Sequence, residues 1–326
     1  MNKIFKLFVV SMIVAALALT AACGGQAPAE QPKTDAKTEE PAKTEEPKKE
    51  EAAKLGGKII IDGSSTVYPI TAAVAEEFKG VQPAVEVSVA LSGTGGGMKK
   101  FSAGEIDICD ASRPIKKEEA EAAKAKGIDY IEFMVAYDGV SVVVNKDSKL
   151  DTVKIEELKK MWSKDSTVKK WNEVNPAWPD AELKLYGPGT DSGTFEFFTE
   201  KVNGKAKEST TNYTPSEDDN VLVQGVAGDK NALGYFGFAY YEENMDKLKV
   251  LKLDAGKGPV EPTFETIKDL SYPLSRPLYI YVSSKAMEQP QVKEFVKFYL
   301  TNAPKLVEEA KSVPLDDYSK ELAKIK

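Results

Sequence analysis

Three times along this chain, a short apolar run is followed by serine, threonine and glycine and then by a segment with helical spacing. The three polar junctions are 63–69 (GSSTVYP), 92–97 (SGTGGG) and 189–194 (GTDSGT). Strands that alternate with helices favour α/β layers built on mostly parallel sheets, in which ligands bind at the carboxyl ends of the strands. The pattern therefore predicts an α/β fold with a ligand site at these junctions.

The spacing of apolar residues predicts the elements around the junctions. Ile70, Val74 and Phe78 share one face of a helix over 69–78. Strands are predicted at 58–62, 85–89, 106–108, 137–145, 183–186, 232–241 and 278–282. Further helices are predicted at 98–103, 155–162, 194–202 and from 292 onward. A chain of 326 residues is long enough for one large or two ordinary domains.

Each junction carries groups that bind anions. The first amides of a helix lack partners within the helix and lie at the positive end of its dipole, and hydroxyl groups add directional donors. One such junction alone would indicate only a helix cap. Three of them, with a fourth at 110–114 (DASRP), favour a shared site for a tetrahedral oxyanion. Arg113 suits a bidentate grip on oxyanion oxygens, whereas Arg276 is at least as compatible with a structural role between domains.

The composition argues against several functions. The sequence has no histidine, so the commonest general base, the hydrolase triad and the usual zinc and copper sites are missing. Its net charge of −7 argues against nucleic acid, which requires a basic face. The segment 92–100 lacks P-loop spacing, and there is no Gly-x-Ser-x-Gly elbow. We therefore expect a binding protein without catalytic activity, metal or cofactor.

The amino terminus predicts export. A basic start and an apolar run over 7–19 precede small residues and Cys23, which is typical of a signal peptide over 1–22 and too short for a membrane span. The cysteine resembles that of the bacterial lipobox, which is lipidated, although Thr20 stands where leucine is usual. The alternative is a secreted protein with an incidental cysteine.

Residues 23–56 predict a tether between this anchor and the fold. They consist mainly of Pro, Ala, Thr, Glu and Lys, and cannot bury enough apolar surface to fold. A flexible tether of about thirty residues spans roughly 30 Å on average. With Cys23 lipidated, Cys109 has no disulfide partner, and its apolar neighbours predict a small buried side chain.

The junctions resemble the substrate-binding proteins of bacterial phosphate-specific ABC importers, the PstS family. The residues that carry the resemblance, and that it assigns to phosphate, are Ser65, Thr66 and Val67, then Thr94 and Gly95, and then Ser192, Gly193 and Thr194. It implies a type II periplasmic-binding-protein fold with two α/β lobes, 57–140 plus 272–326 and 141–271, and phosphate in the cleft between them. It further implies a monomer that is anchored outside the cell membrane and delivers inorganic phosphate to a membrane permease.

The sequence departs from that family at two points. Some members have an arginine where this chain has Pro188 and an aspartate where it has Ser112, and we expect Arg113 to supply the guanidinium. Hydrogen phosphate carries a proton that sulfate lacks, so a buried carboxylate that accepts this proton would select phosphate. The candidates, with the first two preferred, are Asp138, Asp191, Asp62 and Asp110.

Three other functions fit parts of the sequence. A receptor for sulfate, molybdate or tungstate would use the same kind of junctions. An adhesin or sensory lipoprotein would keep the fold without tight anion binding. An enzyme based on lysine or carboxylate groups would turn over a phosphoester.

Overall fold

The structure is a computed structural model that describes residues 55–325. The predicted signal peptide, Cys23 and nearly all of the predicted tether lie outside the described residues. Leu55 packs against a hydrophobic core, and its backbone N–H donates to the Gln82 side chain at 2.9 Å. The fold therefore includes the last residues of the predicted tether. Within 55–325, no helix has the length and apolar character needed to cross a membrane.

Strands and helices alternate along the described chain. The strands are β1 Gly57–Gly63, β2 Val85–Val89, β3 Ile108–Ala111, β4 Tyr130–Asn145, β5 Thr152–Lys154, β6 Lys184–Pro188, β7 Thr214–Ser216, β8 Ala232–Gly237, β9 Leu248–Val250, β10 Lys252–Asp254, β11 Pro259–Val260 and β12 Ser275–Ser283. The helices are α1 Tyr68–Val81, α2 Gly93–Ala103, α3 Lys117–Ala125, α4 Ile155–Trp162, α5 Trp171–Val174, α6 Gly193–Asn203, α7 Asp219–Gly228, α8 Phe238–Glu242, α9 Phe264–Lys268, α10 Ser284–Met287, α11 Pro290–Glu309 and α12 Ser319–Leu322.

One large sheet organises the described residues, with the strand order β2-β1-β3-β12-β4-β8-β6-β7 and with β9 paired to β4. β1 runs parallel to β2 and β3, and β6 runs parallel to β7 and β8. The two parallel parts are joined through antiparallel pairs of β12 with β3 and β4, and of β4 with β8. The sheet is therefore mixed, because the two long strands β4 and β12 cross between its halves.

A separate hydrophobic core lies on each side of these crossing strands. In the first, Ile70, Val74 and Phe78 of α1 are buried, and the Phe78 ring meets that of Phe295 on α11 edge-on, with centroids 5.3 Å apart. In the second, Phe198 of α6 stacks on Tyr235 of β8 at 3.6 Å. We call the half around the first core, with α1 and α11, lobe 1, and the half around the second core, with α6 and β8, lobe 2. The two-lobed α/β fold predicted from the sequence is thus confirmed.

Several elements differ from the prediction: β4 begins at Tyr130 and not at 137, and α3 and α7 are among the elements that were not predicted. Two further differences concern segments that were assigned to the wrong type of structure. The glycine-rich segment that we expected to be a loop is helical, since α2 begins at Gly93. A β-carbon on Gly97 would stand 2.6 Å from the Gly63 α-carbon, so glycine lets α2 pack directly on the end of β1. The predicted strand over 232–241 ends at Gly237, because Phe238 and Tyr241 share a face of α8, with ring centroids 6.4 Å apart.

Cys109 lies in β3 and is fully buried as a free thiol. Burial raises the pKa of this thiol, and the neighbouring Asp110 charge raises it further. The protonated side chain therefore behaves as the small buried hydrophobe that the sequence predicted.

Candidate functional site

The first polar junction lies in lobe 1 between β1 and α1. The backbone N–H of Ser64 donates to the Asp110 carbonyl at 2.9 Å, which fastens the turn to β3. The backbone N–H of Thr66 donates to the Ser64 hydroxyl at 3.2 Å. Val67 comes directly before α1 and is fully buried. The half-buried hydroxyl groups of Ser65 and Thr66 stand beside the first amides of α1.

The second junction and the segment after β3 form one wall. Thr94, in the first turn of α2, has its hydroxyl oxygen 3.1 Å from the Ser112 hydroxyl and also accepts the Ser112 backbone N–H at 3.1 Å. Gly95 faces open space, because a β-carbon there would meet no atom within 4 Å. Two segments that are far apart in sequence therefore present hydroxyl groups and helix amides together.

The third junction lies in lobe 2 between β6 and α6. The Ser192 hydroxyl oxygen accepts the backbone N–H groups of Thr194 and Phe195 at 3.1 and 3.4 Å, and so caps α6. The next residue, Gly193, adjoins the first junction: a β-carbon on it would stand 2.2 Å from Thr66 Oγ1. The structure thus brings the first and third junctions, from opposite lobes, into direct contact.

Arg276 of β12 connects these groups. Its Nη2 donates to Thr66 Oγ1 in lobe 1 at 2.7 Å and to the Gly193 carbonyl in lobe 2 at 3.3 Å. Its Nε and Nη2 also bind one oxygen of Asp138, Oδ2, at 3.0 and 2.9 Å. Arg276 and Asp138 stand opposite each other in β12 and β4, and both are buried. A buried ion pair on the crossing strands therefore contacts both lobes.

Arg276 was not predicted from the sequence to belong to the site. The sequence showed only that Arg276 is a charged residue close to the apolar run of the predicted strand 278–282. In the structure, β12 buries alternate residues from Arg276 to Ile280, so Arg276 lies on the buried face. The predicted strand began at 278, so residue 276 was left outside it, and the need of a buried guanidinium for anionic partners could not be inferred.

Arg113 lies further out on the same wall as Thr94. Its Nη1 and Nη2 donate to the two carboxylate oxygens of Glu119 at 2.9 and 2.7 Å. This bonding raises the pKa of Arg113, so the guanidinium stays charged. Arg113 and Arg276 both line an interlobe cavity of about 890 Å³, together with Thr94, Gly95 and Ser112. The structure therefore places two arginines at the cavity, of which Arg276 lies closer to the meeting of the lobes.

The two preferred aspartates occupy different environments. Asp138 is only 6% exposed. Both of its contacts with Arg276 use Oδ2, and Oδ1 has no hydrogen bond to any of residues 55–325. Asp191 is exposed, and neither aspartate is among the residues that line the cavity. Of the other two candidates, Asp62 binds Lys100 and the Gly63 N–H, and Asp110 accepts from the Thr71 hydroxyl at 3.0 Å.

Lobe 2 adds further carboxyl groups near Asp138. Burial, together with the charges of Asp218, Asp138 and Glu217, raises the pKa of Asp219 to about 7. None of these four carboxyl groups lines the interlobe cavity, whose acidic lining residues are Glu196 and Glu200. Within 55–325, no group of three or more cysteine, aspartate or glutamate side chains is arranged to hold a metal ion.

Comparison with known proteins places the chain in a family. A family model described as the PBP superfamily domain matches residues 36–303. Protein SphX from Synechocystis sp. is 47% identical over 272 residues, which cover 82% of this chain and 81% of that protein. The phosphate-binding protein PstS from Staphylococcus saprophyticus is 44% identical over 275 residues, or 82% of this chain and 84% of that protein.

A solved structure extends the likeness to the fold. One such structure is the crystal structure of a possible phosphate binding protein from Planctomyces limnophilus, with a sequence identity of 51% and a TM-score of 0.79. The match covers 83% of this chain and 98% of that chain. The identity extends over at least four fifths of each of these relatives. This chain therefore belongs to the PBP superfamily and, within it, to the PstS family.

Proposed function

We propose that this chain captures inorganic phosphate between its lobes and delivers it, chemically unchanged, to the membrane permease of an ABC importer. The observation that carries the proposal is the Arg276 guanidinium, which bonds to Thr66 of one lobe and Gly193 of the other beside the wall of Thr94 and Ser112. The names of the PstS relative and of the solved structure, both phosphate-binding, support the same ligand.

In this proposal each lobe contributes donors to one anion. Lobe 1 supplies hydroxyl groups, the amide of Val67 and the first amides of α2, and lobe 2 supplies the start of α6. Arg276 supplies charge-assisted bonds from the centre, and Arg113 supplies positive charge from the outer wall. The full set of proposed ligand residues is Ser65, Thr66, Val67, Thr94, Gly95, Ser112, Arg113, Ser192, Gly193, Thr194 and Arg276, with Asp138 as the acceptor.

Asp138 is the proposed basis of selectivity. Arg276 occupies its Oδ2, so Oδ1 remains to accept the proton of hydrogen phosphate. Sulfate has no such proton, and its oxygens would meet a carboxylate oxygen without a bridging hydrogen. Asp191 lacks the burial that this role requires, because solvent competes for an exposed carboxylate.

Transport requires release as well as capture. We infer that the lobes, 57–140 plus 272–326 and 141–271, close on the anion by bending where β4 and β12 cross.

The predicted signal peptide over 1–22 and a lipid on Cys23 would hold a monomer outside the membrane, within tether length of the permease. Labelling cells with a tagged fatty acid tests the anchor, since Cys23→Ser would abolish the label.

Titration calorimetry of ligand-free protein tests the ligand. We expect phosphate to bind at least about a hundredfold more tightly than sulfate, molybdate or tungstate. Tighter binding of one of those oxyanions would identify a different receptor. Absence of tight anion binding would favour an adhesin or sensor, and release of phosphate from simple esters would identify an enzyme.

A further inference from the structure

The aromatic face of Phe197 lies against the guanidinium of Arg276. The guanidinium carbon is 4.0 Å from the centroid of the ring. Phe197 is on α6 of lobe 2 and is 3% exposed, and its side chain lines the interlobe cavity beside Arg276. At this distance the ring attracts the cation through its quadrupole and keeps water from one face of the guanidinium.

The polar contacts of Arg276 leave one nitrogen uncommitted. Nε and Nη2 are bonded to Asp138, and Nη2 also reaches Thr66 and Gly193. Nη1 has no hydrogen bond to any of residues 55–325, while the side chain as a whole borders the cavity. Asp138 fixes the rotation of the guanidinium within its plane, and Phe197 fixes the plane. Together they aim the free N–H groups of Nη1.

One helix carries both the ring and the third junction. Gly193 begins α6 and Phe197 follows one turn later, so any movement of α6 displaces the ring and the anion-binding amides together. Arg276, in contrast, lies on a strand that crosses between the lobes. The stack between Phe197 and Arg276 therefore depends on where α6 stands relative to the crossing strands.

We propose that Phe197 is a positioning residue, which holds the Arg276 guanidinium in the plane that presents Nη1 to phosphate when α6 closes over the site. This inference rests on the proposed function and goes beyond it, since it couples lobe closure to the geometry of one donor. Lobe closure then brings the donors of both lobes around the anion and also orients the Arg276 guanidinium.

Nuclear magnetic resonance tests the stack in protein saturated with phosphate, because the proposal places the ring against Arg276 when α6 has closed over the site. The sequence has two arginines, Arg113 and Arg276, so labelling arginine with ¹⁵N gives two side-chain Nε signals, and Arg113→Lys assigns them. We expect the Arg276 proton to be shifted upfield by the ring. Phe197→Leu should remove this shift while keeping an apolar side chain, and Phe197→Tyr should retain it. A shift that persists in Phe197→Leu would overturn the inference.

Phosphate binding tests the consequence. Phe197→Leu should weaken binding about tenfold, mainly through faster dissociation, whereas Phe197→Tyr should stay within about threefold of the wild type. In an Arg276→Lys background, Phe197→Leu should change the affinity less than about twofold, because lysine has no plane to hold. Equal losses in both backgrounds would make Phe197 merely structural and overturn the inference.

The two proposals fail in different ways. A wild-type protein that shows the shifted signal but binds no phosphate overturns the proposed function. A wild-type protein that binds phosphate tightly but is insensitive to Phe197→Leu overturns only the role of Phe197. Melting temperatures of all variants confirm that each comparison is made between folded proteins.

Discussion

Gly193 of lobe 2 lies so close to Thr66 of lobe 1 that a β-carbon on residue 193 would stand 2.2 Å from the Thr66 hydroxyl oxygen and 2.8 Å from the Thr66 backbone nitrogen. Atoms at these distances overlap, and one of them is backbone, so the lobes cannot meet in this way around any larger residue. We predict that Gly193→Ala prevents full closure and weakens phosphate binding at least about tenfold. Calorimetry measures the affinity, and small-angle X-ray scattering with saturating phosphate measures the closure.

Gly80 provides the matched control. It lies on α1, and a β-carbon there would meet no atom within 4 Å. Gly80→Ala should leave phosphate affinity unchanged and stabilise the fold by about 0.5–1 kcal/mol, because alanine favours the helix. Wild-type affinity in Gly193→Ala would show that binding does not need this contact.

The two arginines should differ in their contribution to binding. Arg276→Lys keeps the charge but cannot bond to Asp138, Thr66 and Gly193 at once, so we expect a loss of about 2 kcal/mol in phosphate binding. Arg113→Lys should cost less than about 1 kcal/mol, since its guanidinium is held by Glu119 on the outer wall. Calorimetry on both variants decides, and a larger loss in Arg113→Lys would return the principal role to Arg113.

Selectivity should depend on Asp138 and not on Asp191. In Asp138→Asn an amide replaces the free carboxylate oxygen, so hydrogen phosphate loses its acceptor and sulfate loses its repulsion. We expect the ratio of phosphate to sulfate affinity to fall at least about tenfold. Asp191→Asn should preserve the ratio because this residue is exposed. Erosion of the ratio in Asp191→Asn alone would reverse the assignment.

Local patterns predicted the three junctions and part of the elements, but missed others such as α3 and α7. The strand at 85–89 and the helix at 155–162 have the observed bounds, because their apolar spacing is unambiguous. The helical glycines of α2 were missed, because Gly97 is needed for packing on Gly63, and the packing outweighs the low helix propensity of glycine.

The centre of the site could not be predicted in the same way. Arg276 and Asp138 are 138 positions apart, and only the register between β12 and β4 places them opposite each other. The sequence indicated which junctions carry anion-binding groups, but the contact between Thr66 and Gly193 depends on how two lobes meet. Such contacts between distant segments follow from tertiary packing, which local periodicity does not encode.

The buried carboxyl group of Asp110 should make stability depend on pH. Its pKa is raised from an ordinary value of 3.8 to about 8, because burial, helped by the charge of Asp62, outweighs the hydrogen bond from Thr71. Between these two pH values the unfolded chain has lost a proton that the folded chain keeps. The free energy of unfolding therefore falls as the pH rises, by up to about 1.4 kcal/mol per pH unit for this group.

Asp110→Asn removes the ionisable group, so this contribution to the pH dependence should disappear. Its Oδ1 can still accept from Thr71. We expect the variant to match the wild type near pH 4 and to exceed its free energy of unfolding by at least about 2 kcal/mol at pH 8, in urea titrations at both pH values. Parallel curves for the two proteins would contradict the raised pKa.

Asp62 gives the opposite sign and serves as the control. Burial acts to raise its pKa, but hydrogen bonds from Lys100 and Ser92 outweigh this and hold the pKa below its usual value. Its stabilising contribution is therefore present at neutral pH and is lost as the pH falls through the folded pKa. Asp62→Asn should accordingly destabilise the protein at pH 8, where Asp110→Asn stabilises it. Stabilisation by both substitutions would show that charge removal in general, and not the burial of Asp110, is responsible.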